Sequence, residues 1–202
     1  FFLNAQIPEL MDKSLRKNIA VFLDRDGTLN EDRGYVTVPE QLILFSGVPE
    51  ALARLNQLGV QVILVTNQSA IGRGWLTPDG LQRIHGRLAD LLRVQGASID
   101  DVLYCPHRPD EGCACRKPES AMITQAAERY SLDLSQSFFV GDKSSDLEAA
   151  HRAGVPGVLV MSSDYSEDAL KARDDGQFSI VHVAQTFVHA VDWIEKELLG
   201  RS

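Results

Sequence analysis

Apolar residues fall in two alternating rhythms along this chain. Ile19-Ala-Val-Phe-Leu23 is a continuous apolar run of strand length; Val48, Ala51, Leu52, Leu55 and Leu58 then recur at helical spacing until Gly59. Val60–Val65 reads as a second strand. Thr77-Pro78-Asp79 reads as a helix start, with Thr as N-cap and Pro in the first position, and Leu81, Ile84, Leu88, Leu91 and Leu92 mark the apolar face that follows. Asp101–Tyr104 is a third strand. Beyond a loop rich in Cys, Pro and Gly, the pattern predicts helix over 120–130, strand over 137–140, helix over 146–153 ending at Gly154, and strand over 157–160. An edge strand over 178–183 and an amphipathic helix over 185–199 complete the chain. Strands separated by helices predict an α/β fold, a doubly wound, mostly parallel sheet flanked by helices, because parallel neighbours need crossover connections. In such a sheet the ligand site lies beyond the carboxyl ends of the strands.

Composition narrows the function classes. The 202 residues suit one domain over 19–202, with residues 1–18 as an N-terminal appendage, a short helix packed on the domain. Twenty Lys and Arg against 28 Asp and Glu give a net charge of -8, which disfavours a nucleic acid or membrane partner and leaves a small phosphorylated molecule open if cations cluster locally. The apolar runs are strand-length and far short of a membrane span, and Phe1-Phe-Leu-Asn lacks the basic start of a signal peptide. Three cysteines inside one short window make a poor disulfide framework and point to a reducing compartment, the cytoplasm. The expectation is a soluble monomer.

The strand ends carry the chemistry. The first strand exits into Asp24-Arg-Asp26-Gly-Thr28, where two carboxylates leave the sheet together and repel one another unless a cation lies between them. A lone Asp-x-Asp is as readily a solvated turn; Gly27, which permits a tight turn, and Thr28, able to hydrogen-bond back, make it more specific. The second strand exits into Thr66-Asn-Gln-Ser69, whose hydroxyl can donate to an anion. Cys115-Arg-Lys-Pro118 sets two cations before a helix N-terminus, itself an anion site. Gly141-Asp142-Lys-Ser-Ser-Asp146 adds two hard oxygen donors suited to Mg²⁺. Any one of these alone is an ordinary turn or helix cap; four in succession at strand ends are hard to explain as coincidence.

This ordered set resembles the haloacid dehalogenase (HAD) superfamily of phosphotransferases across residues 19–160. The resemblance implies that Asp24 is the nucleophile of a phosphoaspartyl intermediate and Asp26 the general acid and base. It implies Mg²⁺ held by Asp24, Asp142 and the backbone carbonyl of Asp26, with Asp146 behind them, and Thr66 and Lys117 neutralising the phosphoryl oxygens. An acid at position 26 favours phosphatases over dehalogenases, since a halide needs no proton to leave.

Cys105-Pro-His107 and Cys113-Ala-Cys115 form a Cys-x-His-x5-Cys-x-Cys pattern whose spacings can close a tetrahedral Cys₃His zinc site with no open position. Such a zinc is structural, stiffening the loop that delivers Arg116 and Lys117; otherwise these are three free thiols and a loop histidine. The zinc loop resembles that of the histidinol-phosphate and heptose-bisphosphate phosphatases. Asp32-Arg33-Gly34-Tyr35 and Thr66-Asn67-Gln68-Ser69-Ala-Ile-Gly-Arg73-Gly are similar to the heptose 1,7-bisphosphate 7-phosphatases, whereas the five-residue gap from His107 to Cys113 also suits histidinol-phosphate phosphatases. The spacing between strand ends leaves no room for a cap domain, so a capless, open site would take its specificity from the loops at 30–38, 68–76 and 105–117. The residues above, with Arg116, Lys117 and Lys143, are the expected substrate contacts; Arg116 suits a second phosphate because a guanidinium binds one bidentately, and Lys143 could instead pair with Asp142 or Asp146.

Two other classes share some of these features. A phospho-receiver domain also combines acids, Thr and Lys, but takes phosphate on an acid at the third strand's exit, where this chain has Tyr104-Cys105. A zinc-stabilised binding module would leave the acids of strands one and four unexplained.

Overall fold

A computed structural model describes residues 16–200. Among them, six parallel strands form one sheet: β1 (Ala20–Leu23), β2 (Gln61–Asn67), β3 (Asp101–Cys105), β4 (Phe138–Gly141), β5 (Gly157–Val160) and β6 (His182–Ala184). Helices α1 (Val48–Leu58), α2 (Pro78–Arg93), α3 (Ala121–Tyr130), α4 (Ser144–Ala153), α5 (Ser166–Asp174) and α6 (Phe187–Gly200) make the crossovers and close the chain. The spatial order β3-β2-β1-β4-β5-β6 reverses direction between β1 and β4. That reversal opens a crevice at the carboxyl ends of β1 and β4, the place where doubly wound sheets bind ligands.

Alternation along β1 shows why both faces of the sheet are covered. Val21 and Leu23 pack with Leu52, Leu55, Ile84, Val191 and Ile194 from α1, α2 and α6, while Ala20 and Phe22 pack with Ile123, Ala126 and Ala150 from α3 and α4. All four β1 residues are fully buried, and each large aliphatic side chain so placed contributes about 1.5–3 kcal/mol. Thr77 caps α2 as its sequence implies, its Oγ1 accepting from Gly80 N–H at 3.0 Å.

Two elements differ from the sequence pattern. α5 has no counterpart in it, because this helix buries only Ser166, Ala169 and Ala172 and carries no large apolar stripe. The last strand is confined to His182–Ala184, since Phe178 turns into a small cluster with Leu147, Leu159 and Ala169 and pairing with β5 begins only at His182. Most of the expected N-terminal appendage, with its short helix, lies outside the described residues. Its last part is tied into the domain: Arg16 donates to the Leu198 carbonyl at 3.1 Å, and the Asn18 carbonyl accepts from Asp133 N–H at 2.7 Å. Among the described residues no helix is long and apolar enough to cross a membrane.

Candidate active site

β1 and β4 bring their acids together because two glycines let the backbone close in. Gly27 has φ +89°, and a Cβ there would overlap Asp142 Oδ2. At the end of β4, a Cβ on Gly141 would overlap the side chain of Asp146 from the first turn of α4. The result is a buried group of Asp24, Asp142 and Asp146, one carboxylate oxygen from each lying within 4.8 Å of the others.

One lysine is threaded through this group. Lys117 Nζ reaches Asp24 Oδ1 at 2.6 Å, Asp146 Oδ1 at 2.7 Å and the Val65 carbonyl at 2.7 Å, and is itself buried. Burial opposes its charge, but Asp146 and Asp24 together hold its pKa above the ordinary lysine value. Asp146 is satisfied at both oxygens, since Oδ2 accepts the Lys143 N–H at 3.1 Å. Asp142 is not. Its Oδ1 accepts from Thr28 Oγ1 at 3.1 Å, the contact that Thr28 makes across to β4, while Oδ2 is buried without a partner.

The charges do not balance with Lys117 alone. Burial, then the neighbouring Asp146 and Asp24, pushes Asp142 up to about 7, and burial pushes Asp24 up to about 6 despite Lys117. Three hard oxygen donors, an unpartnered buried oxygen and a shortage of positive charge fit a divalent cation such as Mg²⁺. The Asp26 carboxylate is not part of this group.

Asp26 instead turns to the other side of the loop. Arg25 Nη2 binds its two oxygens at 2.9 and 2.7 Å, Asn30 Nδ2 donates to Oδ1 at 2.9 Å, and Gln68 Nε2 donates to Oδ2 at 3.1 Å. These partners overcome burial and hold the Asp26 pKa below the usual carboxylate value. Gln68 also donates to Thr66 Oγ1 at 2.9 Å, so it ties the exit of β2 to the loop after β1.

Above this floor opens a cavity of about 330 Å³. Asp24, Asp26, Thr66 and Lys117 line it, with Asp32, Gly34, Tyr35, Asn67, Gln68, Ser69, Arg116 and Lys143 around the mouth. Val36, Ser145 and Tyr165 line it as well, and the sequence pattern singled out none of them. Lys143 pairs with Asp32 at 2.7 Å, not with Asp142 or Asp146, and its Nζ lies 4.8 Å from the Tyr165 ring centre. Tyr165 was missed because it enters from the start of α5, the helix without an apolar signature. Arg33 and Arg73, expected as substrate contacts, are not among the lining residues. Arg33 pairs with Glu31 at 2.8 Å on the surface, and Arg73 stacks over Tyr35 and Trp75 at 5.8 and 5.3 Å, since each long side chain takes the nearest carboxylate or aromatic face.

The cysteine loop gathers a second donor set. Cys105, His107, Cys113 and Cys115 converge with their ligand atoms within 4.8 Å. Cys115 Sγ lies 3.0 Å from Cys105 Sγ, 3.5 Å from Cys113 Sγ and 3.2 Å from His107 Nδ1, and all three cysteines are free thiols. Tetrahedral zinc with sulfur at about 2.3 Å needs donor separations only slightly wider, so the residues fit that ion. Arg116 Nη1 donates to the His107 carbonyl at 3.2 Å, linking this cluster to the mouth of the cavity.

The chain is similar to known proteins in sequence and in fold. A family model described as HAD-hydrolase-like matches residues 114–190. A D-glycero-beta-D-manno-heptose-1,7-bisphosphate 7-phosphatase of Pseudomonas aeruginosa is 44% identical over 141 residues, covering 69% of this chain and 79% of the relative. A D-glycero-D-manno-heptose-1,7-bisphosphate 7-phosphatase of Thermosynechococcus vestitus is 37% identical over 193 residues, covering 90% and 98%. Among solved structures, a D,D-heptose 1,7-bisphosphate phosphatase from B. bronchiseptica, complexed with magnesium and phosphate, superposes with a TM-score of 0.81 at 35% identity, covering 89% of this chain and 99% of that one.

Proposed function

The chain belongs to the heptose-1,7-bisphosphate 7-phosphatase family of HAD-like hydrolases, and on that premise we propose that it converts D-glycero-D-manno-heptose 1,7-bisphosphate to heptose 1-phosphate and inorganic phosphate. The observation that carries this reading is the junction of β1 and β4, where Lys117 bridges Asp24 and Asp146 beside the unpartnered oxygen of Asp142. A receiver domain finds no support there, because β3, which would carry its acceptor acid, lies at the sheet edge and ends in Cys105.

The residues divide the work of a two-step displacement. Asp24 attacks phosphorus opposite the sugar oxygen, so that a bond from its carboxylate to phosphorus forms as the phosphorus–sugar oxygen bond breaks. Arg25, Asn30 and Gln68 keep Asp26 ionised in the free enzyme, so it takes up a proton as the phosphate monoester binds, gives it to the departing oxygen, and then takes one from the water that attacks phosphorus and releases Asp24. Lys117 and Thr66 hold the phosphoryl oxygens while charge shifts between them. Asp24, Asp142 and the Asp26 carbonyl would hold Mg²⁺, with Asp146 anchored behind by Lys117 and the Lys143 N–H. Once bound, the ion screens the repulsion between the attacking carboxylate and the phosphate.

Substrate choice falls to the mouth. Arg116 and Lys143 offer cations for the remote phosphate, with Asp32, Gly34, Tyr35, Asn67, Gln68 and Ser69 beside the sugar. Zinc on Cys105, His107, Cys113 and Cys115 would fill all four positions and serve structure, holding the loop that presents Arg116. Three cysteines in one loop, none of them in a disulfide, support a cytoplasmic location.

The test is kcat/KM, with Mg²⁺, for heptose 1,7-bisphosphate against histidinol phosphate, the substrate that the short His107–Cys113 gap also suits. Preference for the heptose ester, abolished in Asp24→Asn, is expected. Preference for histidinol phosphate overturns the substrate, and turnover surviving Asp24→Asn overturns the nucleophile.

A further inference from the structure

Arg25 stands between the two acids of the loop after β1, and no step above uses it. It is 0% exposed, which a guanidinium tolerates only when its nitrogens are paired. Nε and Nη2 bind Asp26 Oδ1 at 3.1 and 2.9 Å, Nη2 binds Asp26 Oδ2 at 2.7 Å, and Nη2 also meets Gln68 Oε1 at 3.3 Å. The remaining nitrogen, Nη1, faces His85 Nε2 at 3.4 Å. An arginine nitrogen only donates, so this contact requires His85 to keep Nε2 bare and carry its proton on Nδ1. His85 projects from α2, its ring edge-on to Tyr104 of β3 and lining an apolar cleft with Leu88, Ala97 and Val102. The fork of Arg25 thus fixes the plane of the Asp26 carboxylate, and His85 fixes the fork.

We propose that Arg25 and His85 are positioning residues for Asp26, holding its carboxyl aimed at the leaving oxygen without themselves touching substrate. The inference rests on the reading of Asp26 as the acid and base of a phosphatase. A guanidinium suits the task because it grips both carboxylate oxygens at once, where an ammonium offers a point charge.

Two esters separate positioning from general damage. The sugar oxygen leaves only with a proton, whereas 4-nitrophenolate leaves without one. Arg25→Met is expected to lower kcat on the heptose ester about 100-fold, within the range of general acid–base catalysis, while KM and the 4-nitrophenolate burst change less than about 3-fold. Arg25→Lys should recover part of the loss. His85→Leu should show the same split at about 10-fold, and His85→Gln, which keeps an acceptor for Nη1, should recover most of it. Equal losses on both esters, a rise in KM alone, or unchanged kinetics overturns the proposal. If Arg25→Met does not fold, the His85 pair decides, since it leaves Arg25 in place. Crystal structures of the folded variants give a readout apart from turnover: an Asp26 carboxylate unmoved in both Arg25→Lys and His85→Leu overturns the positioning role. A wild-type chain inactive on both esters overturns the phosphatase reading instead, and the carboxylate orientation still decides this one.

Discussion

The side-chain amide of Asn67 closes a ring of two hydrogen bonds with the backbone of Lys117, Oδ1 accepting from its N–H at 3.0 Å and Nδ2 donating to its carbonyl at 3.1 Å. The same strand, β2, offers the Val65 carbonyl to Lys117 Nζ. Lys117 is therefore held at both ends by β2, although fifty positions separate Asn67 from it. This places the ammonium between Asp24 and Asp146 with little freedom to turn away.

Asn67 thereby acts on catalysis through Lys117 as well as lining the cavity. Asn67→Ala removes both bonds and leaves the Lys117 N–H without its partner, a loss of about 1–3 kcal/mol. Thermal unfolding should show that loss, and kcat should fall about 10-fold as the ammonium gains freedom. Asn67→Asp should be worse, because a carboxylate oxygen would then face the Lys117 carbonyl. A variant with kcat unchanged at lowered stability would separate the ring from catalysis.

The buried carboxylates set a pH dependence in the metal-free protein. Asp24 and Asp142 have folded pKa values of about 6 and about 7, above the ordinary 3.8. A raised value means that the protonated acid favours the fold, so the full contribution is present below pH 3.8 and is lost as pH rises through 6 and 7. Without Mg²⁺, Tm should fall between about pH 4 and 7 and level off above; with Mg²⁺, which binds only the folded site, the fall should be smaller. Asp142→Asn should flatten the metal-free slope and abolish the response to Mg²⁺. A metal-free Tm independent of pH over this range would contradict the charge shortage at the site.

The order of elements and the convergence of four strand ends were legible because both follow from local patterns: apolar runs, helical spacing, and acids placed where strands stop. Side-chain direction was not. Gln68, just past the end of β2, reaches both Thr66 and Asp26, while its neighbour Asn67 binds the backbone of Lys117 instead, and a motif read as a string does not separate these roles. Arg25 shows the same limit, since its importance comes from folding back on its own neighbour. Arg33 and Arg73 lie outside the cavity lining, since nearness to the site in sequence says nothing about the partner a long cation finds. Tyr165 was invisible because α5 has no apolar stripe to place it.

The proposed zinc site on the cysteine loop should govern substrate affinity. Arg116 is fastened to the His107 carbonyl, so loosening the loop should free the arginine before it disturbs Asp24. Cys115→Ser, or removal of zinc by a strong chelator, should lower Tm and raise KM for the heptose ester about 10-fold with a smaller change in kcat. Metal analysis should find one zinc per wild-type chain. A zinc-free chain with unchanged KM and Tm would leave the loop without this role.

Asp32 and Lys143 should move phosphate affinity in opposite directions. Asp32 Oδ2 pairs with Lys143 Nζ at 2.7 Å, while Oδ1 accepts the Gly34 N–H at 2.9 Å and shapes the turn of the loop. Both side chains line the cavity, so in the free enzyme Asp32 competes with an incoming phosphate for Lys143. The pair is partly exposed, 30% and 15%, which limits its worth to about 1 kcal/mol, or a factor of about five in affinity. Asp32→Asn keeps an oxygen for the Gly34 N–H and removes the competing charge, so inhibition by the product heptose 1-phosphate, which keeps the remote phosphate, should tighten by about that factor. Lys143→Met should weaken it. Inhibition constants measured for the two variants against wild type check the signs; weakening in both would mean that Asp32 holds Lys143 in place for phosphate instead of competing with it.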